Sequence, residues 1–382
     1  MYFPTWLVAE RGVSFADVAI VFLLARLVDA VTDVPIGRWV DRHAIYHGWF
    51  GLGWLLLLMG GALLWAASSL FAVFAGLVLV FVGWGAITVP WMALPAAFPA
   101  SYHLRLNAAR ELALLVGTFF GLVLPSVIAG ELLLGIAIAL VMLLWALWMV
   151  PKAPELAATS ASSMNLRHWW SALLSLGSGR LLLLWWLNAL ANAVPASVLL
   201  IYLDRVLGIE QWVGAFLVLY FIAAMLGAWV VKLLAPRYDE CGLWSLACLV
   251  SALAFMPAYG LGVGDGIVFA LVCLITGVCF GIESVLAPLL QTRVVSALET
   301  RVSRSKAASF GLWTATQKLA MGFAVVVTFG LLGVAPGEDT GLQELTAEYV
   351  AAVYVAVPVA LKLLVSALLV SPQWGGRLRR QG

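Results

Sequence analysis

Charged side chains are scarce in this chain: Asp, Glu, Lys and Arg together make up 10% of its 382 residues, against about a quarter in an ordinary soluble domain. That scarcity excludes a water-soluble enzyme. Neither sign of charge dominates, because 21 Lys and Arg against 19 Asp and Glu leave a formal net charge of +2. So small an imbalance gives no reason to expect a nucleic-acid partner. Cysteine is also rare. The four, Cys241, Cys248, Cys273 and Cys279, lie in or at the edge of apolar stretches and lack the paired short spacing that zinc requires. They read as packing residues. Met1 to Gly12 shows no basic start followed by an apolar core, so no removable signal peptide is visible. What the chain has in abundance is hydrophobic sequence, 64% of residues with a mean hydropathy of +1.05. This is the composition of an integral membrane protein.

A bilayer core about 30 Å thick needs roughly 20 apolar residues per helix. Eleven runs of that kind occur, at Ser14 to Ile36, Trp49 to Ala67, Leu70 to Met92, Ala108 to Ala129, Leu132 to Val150, Leu181 to Leu203, Gln211 to Leu234, Gly242 to Leu261, Gly266 to Leu290, Ser309 to Gly333 and Thr346 to Val370. The breaks between them alternate in charge. One set holds Arg38, Arg42, Arg105, Lys152, Arg167, Lys232, Arg237, Arg293, Arg301, Arg304 and Lys306, with Arg377, Arg379 and Arg380 after the last run. Basic loops resist translocation, which places that set and the C-terminus in the cytoplasm. The other set holds Arg11 and Arg205 and carries Glu131, Asp265, Glu338, Asp339, Glu344 and Glu348.

This orientation puts Met1 to Gly12 outside with no helix before it to carry it there. MYFPTWLVAE then reads as the outer end of a helix that begins upstream of Met1. The Ala/Ser-rich stretch Lys152 to Ser171 reads as a cytoplasmic linker between two halves. The expected architecture is an all-α polytopic membrane protein of two helical bundles with about eleven spans of twelve: residues 1–150, a linker at 151–170, and residues 171–382.

An ionised side chain at the bilayer centre costs about 2.5–3.5 kcal/mol on insertion scales, so those that occur face a partner or a water-filled cavity. In ARLVDAVTDVPIG, Arg26, Asp29 and Asp33 recur at spacings of three and four and share one helical face. One reading is a structural ion-pair cluster. Two carboxylates and one arginine leave an unmatched negative charge, however, and two carboxylates one turn apart suit a hard monovalent cation or a proton. Lys318, in SFGLWTATQKLAMGF with Thr314 one turn earlier, is too deep to snorkel. It suits either a permanent staple to Asp29 or Asp33 or a partner that holds them while a cation is absent.

Weaker candidates are Glu283, within about two turns of a cytoplasmic end as the runs are drawn, Asn188 and Asn192 at helical spacing, and Arg110 with Glu111. Each has a duller reading as a helix-end residue, a helix-to-helix hydrogen bond or an interfacial anchor. Lys362 reads as interior and receives no role. Trp91 and Trp313 fall beside polar positions, where their faces suit stacking on a sugar ring or another flat apolar surface.

The segment ARLVDAVTDVPIGRWVDR resembles the second-helix signature of the glycoside–pentoside–hexuronide:cation symporters, the melibiose-permease-like branch of the major facilitator superfamily. WMALPAAFPASYHLRLNAARE, LNALANAVPASVLLIYLDRVLG and SRSKAASFGLWTATQKLAMGFAV resemble that family's fourth-to-fifth, seventh and eleventh helices. The resemblance implies a major-facilitator-type fold with Asp29 and Asp33 as cation-site carboxylates, Thr314 as their polar neighbour and Lys318 as the lysine near them. It implies a sugar-contacting Arg110, and GRWVDR (Gly37, Asp41, Arg42) as the cytoplasmic loop motif that braces the two halves; APRYDECG is its degenerate counterpart. The family's acidic residue near the end of its fourth helix is replaced near Ala100. Its paired aspartates after the tenth helix are missing too, leaving only Glu299.

The function these features imply is cation-coupled symport, with Na⁺ or H⁺, of a small organic solute such as a sugar or glycoside. Arg26, Trp91, Arg110, Asn188, Asn192, Glu283 and Trp313 are the expected substrate contacts. A lysolipid or other amphipathic solute is the alternative within transport. Outside it stand an intramembrane prenyltransferase, suggested by Asp29, Asp33 and Asp41 but lacking a second aspartate cluster, and a non-transporting sensor or scaffold. The expected setting is a bacterial inner membrane and the expected state a monomer, with no cofactor beyond the coupling ion.

Overall fold

An unpaired peptide N–H or C=O in hydrocarbon costs several kcal/mol, and an α-helix pairs all of them within one segment. Apolar runs of 20 or more residues therefore fold as helices. The computed structural model describes residues 15–43, 46–67, 69–127, 165–302, 305–333 and 346–372. Nearly all of these are helical and none lies in a strand. In chain order the helices are α1 (Phe15–His43), α2 (Tyr46–Ala66), α3 (Leu70–Ala93), α4 (Ala100–Val127), α5 (Leu166–Ser175), α6 (Ser178–Tyr202), α7 (Val213–Leu234), α8 (Glu240–Phe255), α9 (Gly266–Glu299), α10 (Lys306–Gly333) and α11 (Ala347–Val370).

Eight helices of the described residues are long and apolar enough to cross a membrane. The other two long ones, α1 and α4, contain 29 and 28 residues and carry buried ionisable groups. Every described long helix coincides with an expected span. The expected span Leu132 to Val150, the stretch Met1 to Gly12 and most of the linker lie outside the described residues.

Two expectations about these segments need correction. The end of the expected linker is helical: Asn165 accepts from the Arg167 N–H at 3.0 Å, and α5 follows it. This helix buries Trp169, Ala172 and Leu173 while Trp170 and Leu174 stay exposed, an amphipathic pattern that the Ala/Ser-rich stretch before it conceals. Helix α9 runs nine residues beyond the expected end at Leu290, to Glu299. Its last turns bury Val294, Val295 and Leu298, so protein rather than lipid covers them. Glu283 is thereby at the midpoint of α9, not two turns from its end.

Helix starts are capped by short polar side chains. Ser69, Asp239 and Thr346 accept from Ala72, Gly242 and Tyr349 N–H at the starts of α3, α8 and α11, satisfying donors that have no partner within their own helix.

The chain divides into two compact units. The first comprises the described residues of Met1–Leu94, Leu133–Trp169 and Glu299–Gly322, with α3 packed against both α1 and α2. The second comprises those of Pro95–Leu132, Trp170–Leu298 and Phe323–Gly382. In it α11 packs on α6 and α8, and α4 on α7. Tyr202 stacks on Tyr354, with ring centroids 4.1 Å apart, and donates to the Ala258 carbonyl at 2.6 Å.

Helices α7 and α9 touch backbone to backbone. A Cβ on Gly281 would lie 1.9 Å from the Ala224 carbonyl oxygen, and one on Gly227 would lie 2.0 Å from that of Val278. Small residues allow this approach where lipid supplies no hydrophobic drive between helices. Gly281→Ala is expected to lower thermal stability by about 1–3 kcal/mol, the usual cost of overpacking. A melting curve of the purified variant that overlays the wild type would refute the contact.

Candidate functional site

Residues with the chemistry expected of a transporter collect in one cluster of the first unit and in two groups of the second. In the first unit, α1 crosses the start of α10 so closely that a Cβ on Gly311 would lie 2.3 Å from the Asp33 carbonyl oxygen. With glycine at position 311 of that crossing, Lys318 of α10 reaches both carboxylates of α1. Its Nζ donates to Asp29 Oδ1 at 2.5 Å and to Asp33 Oδ1 at 2.8 Å. Asp29 and Asp33 are wholly buried. Arg26 adds a weaker bond to Asp29 Oδ2 at 3.4 Å and rests over the Phe81 ring, 4.3 Å from its centroid, with its own side chain 43% exposed.

Arg26, Lys318, Asp29 and Asp33 together sum to zero charge, so the negative charge left over in the sequence is matched by Lys318. The balance is not symmetrical. Both oxygens of Asp29 are engaged, whereas Asp33 Oδ2 is buried without a hydrogen-bond partner among the described residues. Thr314, one turn before Lys318, lies beside Asp33, and its hydroxyl donates to the Phe310 and Gly311 carbonyls. Gly85 of α3 closes the same corner: a Cβ there would lie 2.7 Å from Asp33 Oδ1 and 3.6 Å from Lys318 Nζ.

At the far end of α1, Asp41 accepts from the Ala307 N–H at 2.9 Å and the Ala308 N–H at 2.7 Å. It caps the first turn of α10 from another helix. Gly37 permits the approach, because a Cβ there would lie 2.3 Å from the Ala307 carbonyl oxygen, while Arg42 is exposed.

The second unit gathers four other candidates in two groups. Asn188 and Asn192 of α6 both donate to Glu283 Oε2, at 3.1 and 3.5 Å. Lys362 of α11 pairs with the same oxygen and donates to Asn188 Oδ1 at 3.0 Å. Arg110 is the fourth, and the structure excludes its reading as an interfacial anchor. It and Glu111 are both buried, with the guanidinium donating to Glu111 Oε1 at 3.0 and 3.3 Å.

The two candidate tryptophans sit in different surroundings. Trp313 is fully buried in α10, so its ring has no free face to stack on a solute in this conformation. Trp91 makes a T-shaped contact with Phe50, ring centroids 6.3 Å apart, and stays partly exposed.

The family model for MFS/sugar transport proteins matches residues 1–371. The chain belongs to this family. Its fold is that of solved transporters. It resembles the fucose:proton symporter of E. coli at a TM-score of 0.65 and 16% identity, covering 95% of this chain and 93% of the other. The human organic anion transporter MFSD10 gives 0.68 and 15%, covering 95% and 88%. A bacterial homologue of the iron transporter ferroportin, in an outward-facing state, gives 0.67 and 16%, covering 98% and 94%. No curated protein matches the sequence.

This MFS protein is a multi-pass membrane transporter and not an enzyme, which removes the prenyltransferase reading. Sequence reasoning missed Lys362 and Cys248 as members of a polar cluster. Cys248 Sγ lies 3.6 Å from both Asn188 Oδ1 and Glu283 Oε1. It is not simply a packing residue. The signal was present for Lys362, an ionisable residue inside an apolar run, but its partners lie 79 and 174 positions away.

Burial pushes the Asp41 carboxyl up to about 7, Glu299 adding to the effect and the Ala308 and Ala307 N–H groups opposing it. A carboxyl raised in the folded state binds its proton more tightly there than in the unfolded chain. Its contribution to stability therefore declines as pH rises from about 4 to about 7. Asp41→Asn is expected to flatten that part of the stability profile, with the two melting curves drawing together toward pH 4. Parallel profiles would refute the assignment.

Proposed function

We propose that this MFS transporter moves a small organic solute of the sugar or glycoside class together with Na⁺ or H⁺, by alternating access. The observation that carries the reading is Lys318 lying across Asp29 and Asp33 while Asp33 Oδ2 has no hydrogen-bond partner among the described residues. The cluster is neutral as found, so an entering cation displaces Lys318 from the carboxylates instead of simply adding to them. Asp29, Asp33 and Thr314 supply its oxygens. Arg26, Arg110, Asn188, Asn192 and Glu283 are proposed solute contacts, with Trp91 and Trp313 joining them in conformations that uncover their rings. Gly37, Asp41 and Arg42 brace the cytoplasmic end of the helices. We place the protein as a monomer in a bacterial inner membrane, C-terminus in the cytoplasm, its halves at residues 1–150 and 171–382 joined through 151–170.

A second reading, carriage of a lysolipid or other amphipathic solute, is favoured by the lining of a pocket in the second unit. Phe216, Tyr220, Phe221, Phe255 and Tyr354 line it with Asn192, a wall better suited to an apolar body than to many hydroxyls. Uptake into vesicles of a panel of glycosides and of lysolipids, with and without an imposed Na⁺ or pH gradient, separates the two. The expected result is gradient-driven accumulation of a glycoside. Accumulation of lysolipids alone would transfer the assignment to the second reading, and equilibration of every solute regardless of either gradient would overturn the coupling.

A further inference from the structure

The pocket lined by Asn192 lies wholly within the second unit, where the ends of α6 and α8 meet the starts of α7, α9 and α11. It is a cavity of about 150 Å³. Its walls are the rings of Phe216, Phe221 and Phe255 together with Tyr220 and Tyr354. The neighbouring core is packed without such a gap: Tyr202 is wholly buried, stacked on Tyr354 and bonded through its hydroxyl to the Ala258 carbonyl. Close packing is the rule in a protein interior, so a void left among large aromatic side chains forfeits the contacts that would close it.

The polar groups on this wall are largely unspent. Thr276 shows what a satisfied hydroxyl does here, donating to the Val272 carbonyl at 2.7 Å. By contrast, the hydroxyls of Tyr220, Tyr354 and Ser251 have no hydrogen-bond partner among the described residues. Asn192 gives one long bond, 3.5 Å to Glu283 Oε2, and its own side-chain carbonyl accepts none among those residues. A buried polar group without a partner costs stability. Groups in that state on α6, α7, α8 and α11, all lining one cavity, mark a place where an incoming molecule supplies the missing partners. The ions reached through Asn192, Glu283 and Lys362, pair with each other, so the site offers its occupant no net charge. Size narrows the occupant further. An apolar cavity of about 150 Å³ takes up benzene, so this one holds a single six-membered ring and is far too short for a whole acyl chain.

We propose that this cavity is a binding site for a small neutral aromatic alcohol, a single ring carrying one or two hydroxyls, phenol being the simplest. The flat ring meets aromatic faces and edges on several sides, and its hydroxyl exchanges hydrogen bonds with the unpartnered groups of Tyr220, Ser251, Tyr354 and Asn192. A sugar of similar size carries hydroxyls all round its ring, more than this wall can pair. Because the lining comes from five helices of one unit, occupancy ties their ends together and stabilises the folded unit by mass action. The site does not rest on the transport reading and stands whether or not Asp29 and Asp33 hold a cation.

Fluorine NMR of 4-fluorophenol with the purified protein in lipid nanodiscs, set against empty nanodiscs to subtract partition into lipid, tests the site without any transport. A protein-dependent shift or broadening of the resonance is expected, reversed by phenol or benzyl alcohol and left in place by equal concentrations of glucose or lysophosphatidylcholine. Tyr220→Phe and Ser251→Ala each remove one hydroxyl with little change of shape, and each is expected to weaken binding by about two- to tenfold, the worth of one hydrogen bond. Cys273→Leu enlarges a residue of the lining and leaves every hydroxyl in place. It is expected to weaken binding at least as much, and it serves if a hydroxyl variant does not fold. A resonance no different from that in empty nanodiscs, or binding equal in wild type and all three variants, would overturn the proposal. Displacement by lysophosphatidylcholine or glucose as readily as by phenol would overturn it too, in favour of an acyl-chain or sugar site.

Discussion

Replacing Lys318 with alanine is expected to reduce ion-driven accumulation of solute sharply and to lower the stability of the transporter at the same time. The lysine is the only group described that touches both Asp29 and Asp33. Its removal leaves two wholly buried carboxylates with Arg26 alone, and Arg26 reaches only Asp29. Taking one partner from a buried pair costs about 3–5 kcal/mol, much of it the desolvation of the charge that remains. On the proposed mechanism, carboxylates left with no internal partner also lose the exchange that links cation release to conformational change. Accumulation should fall by about tenfold or more, the factor that follows from even ~1.4 kcal/mol of lost coupling. Adding Asp33→Asn to Lys318→Ala should restore part of the melting temperature without restoring accumulation, because it removes the stranded charge but also a cation ligand. The measurements are melting curves in detergent and uptake into vesicles under an imposed Na⁺ or pH gradient. Normal accumulation with unchanged ion dependence in Lys318→Ala would remove Lys318 from the mechanism.

Neutralising the carboxylates one at a time should separate two properties that the sequence presents as equivalent. Asp29→Asn and Asp33→Asn preserve size and remove the charge a cation must meet. Each variant is expected to exchange solute down its gradient while losing ion-driven accumulation. Their costs differ. Asp29 is bonded by Lys318 and Arg26, so Asp29→Asn should lower the melting temperature more. Of the two, Asp33 has an oxygen without a hydrogen-bond partner among the described residues, the position proposed for an entering cation, so Asp33→Asn should weaken ion dependence more. A calorimetric or fluorescence titration with Na⁺ reads the second effect directly when Na⁺ is the coupling ion, and a proton-uptake titration reads it when H⁺ is. Full gradient-driven accumulation in both variants would sink the cation-site assignment.

A good part of the site was legible before the structure because helical spacing is a local property. Arg26, Asp29 and Asp33 share a face at intervals of three and four, and Thr314 and Lys318 share another at an interval of four. An ionisable residue in hydrocarbon is expensive wherever it occurs, which marked Lys318 as needing a partner. The same reasoning applied to Lys362 named no partner, since its bonds to Glu283 and Asn188 join helices far apart in the chain. Glu283 was misplaced for another reason. The polar residues after Leu290 look like the end of a span, and only the packing of Val294, Val295 and Leu298 shows that α9 continues under protein cover.

The apolar runs, and with them the membrane-spanning helices described here, follow from the sequence alone, because hydrocarbon leaves a buried backbone no alternative to helical hydrogen bonding. The carboxylate pair on α1 and the lysine of α10 follow in the same way from helical periodicity. Which helices touch was decided by the tertiary structure, since in lipid every apolar face is equally content and contact depends on small residues such as Gly311 and Gly281 meeting a partner backbone. Tertiary structure likewise decided that Asp33, and not Asp29, has an oxygen with no hydrogen-bond partner among the described residues, that Asp41 caps a helix 266 residues away, and that Trp313 is enclosed. Each of these is a relation between segments distant in the chain, set by the geometry of close approach.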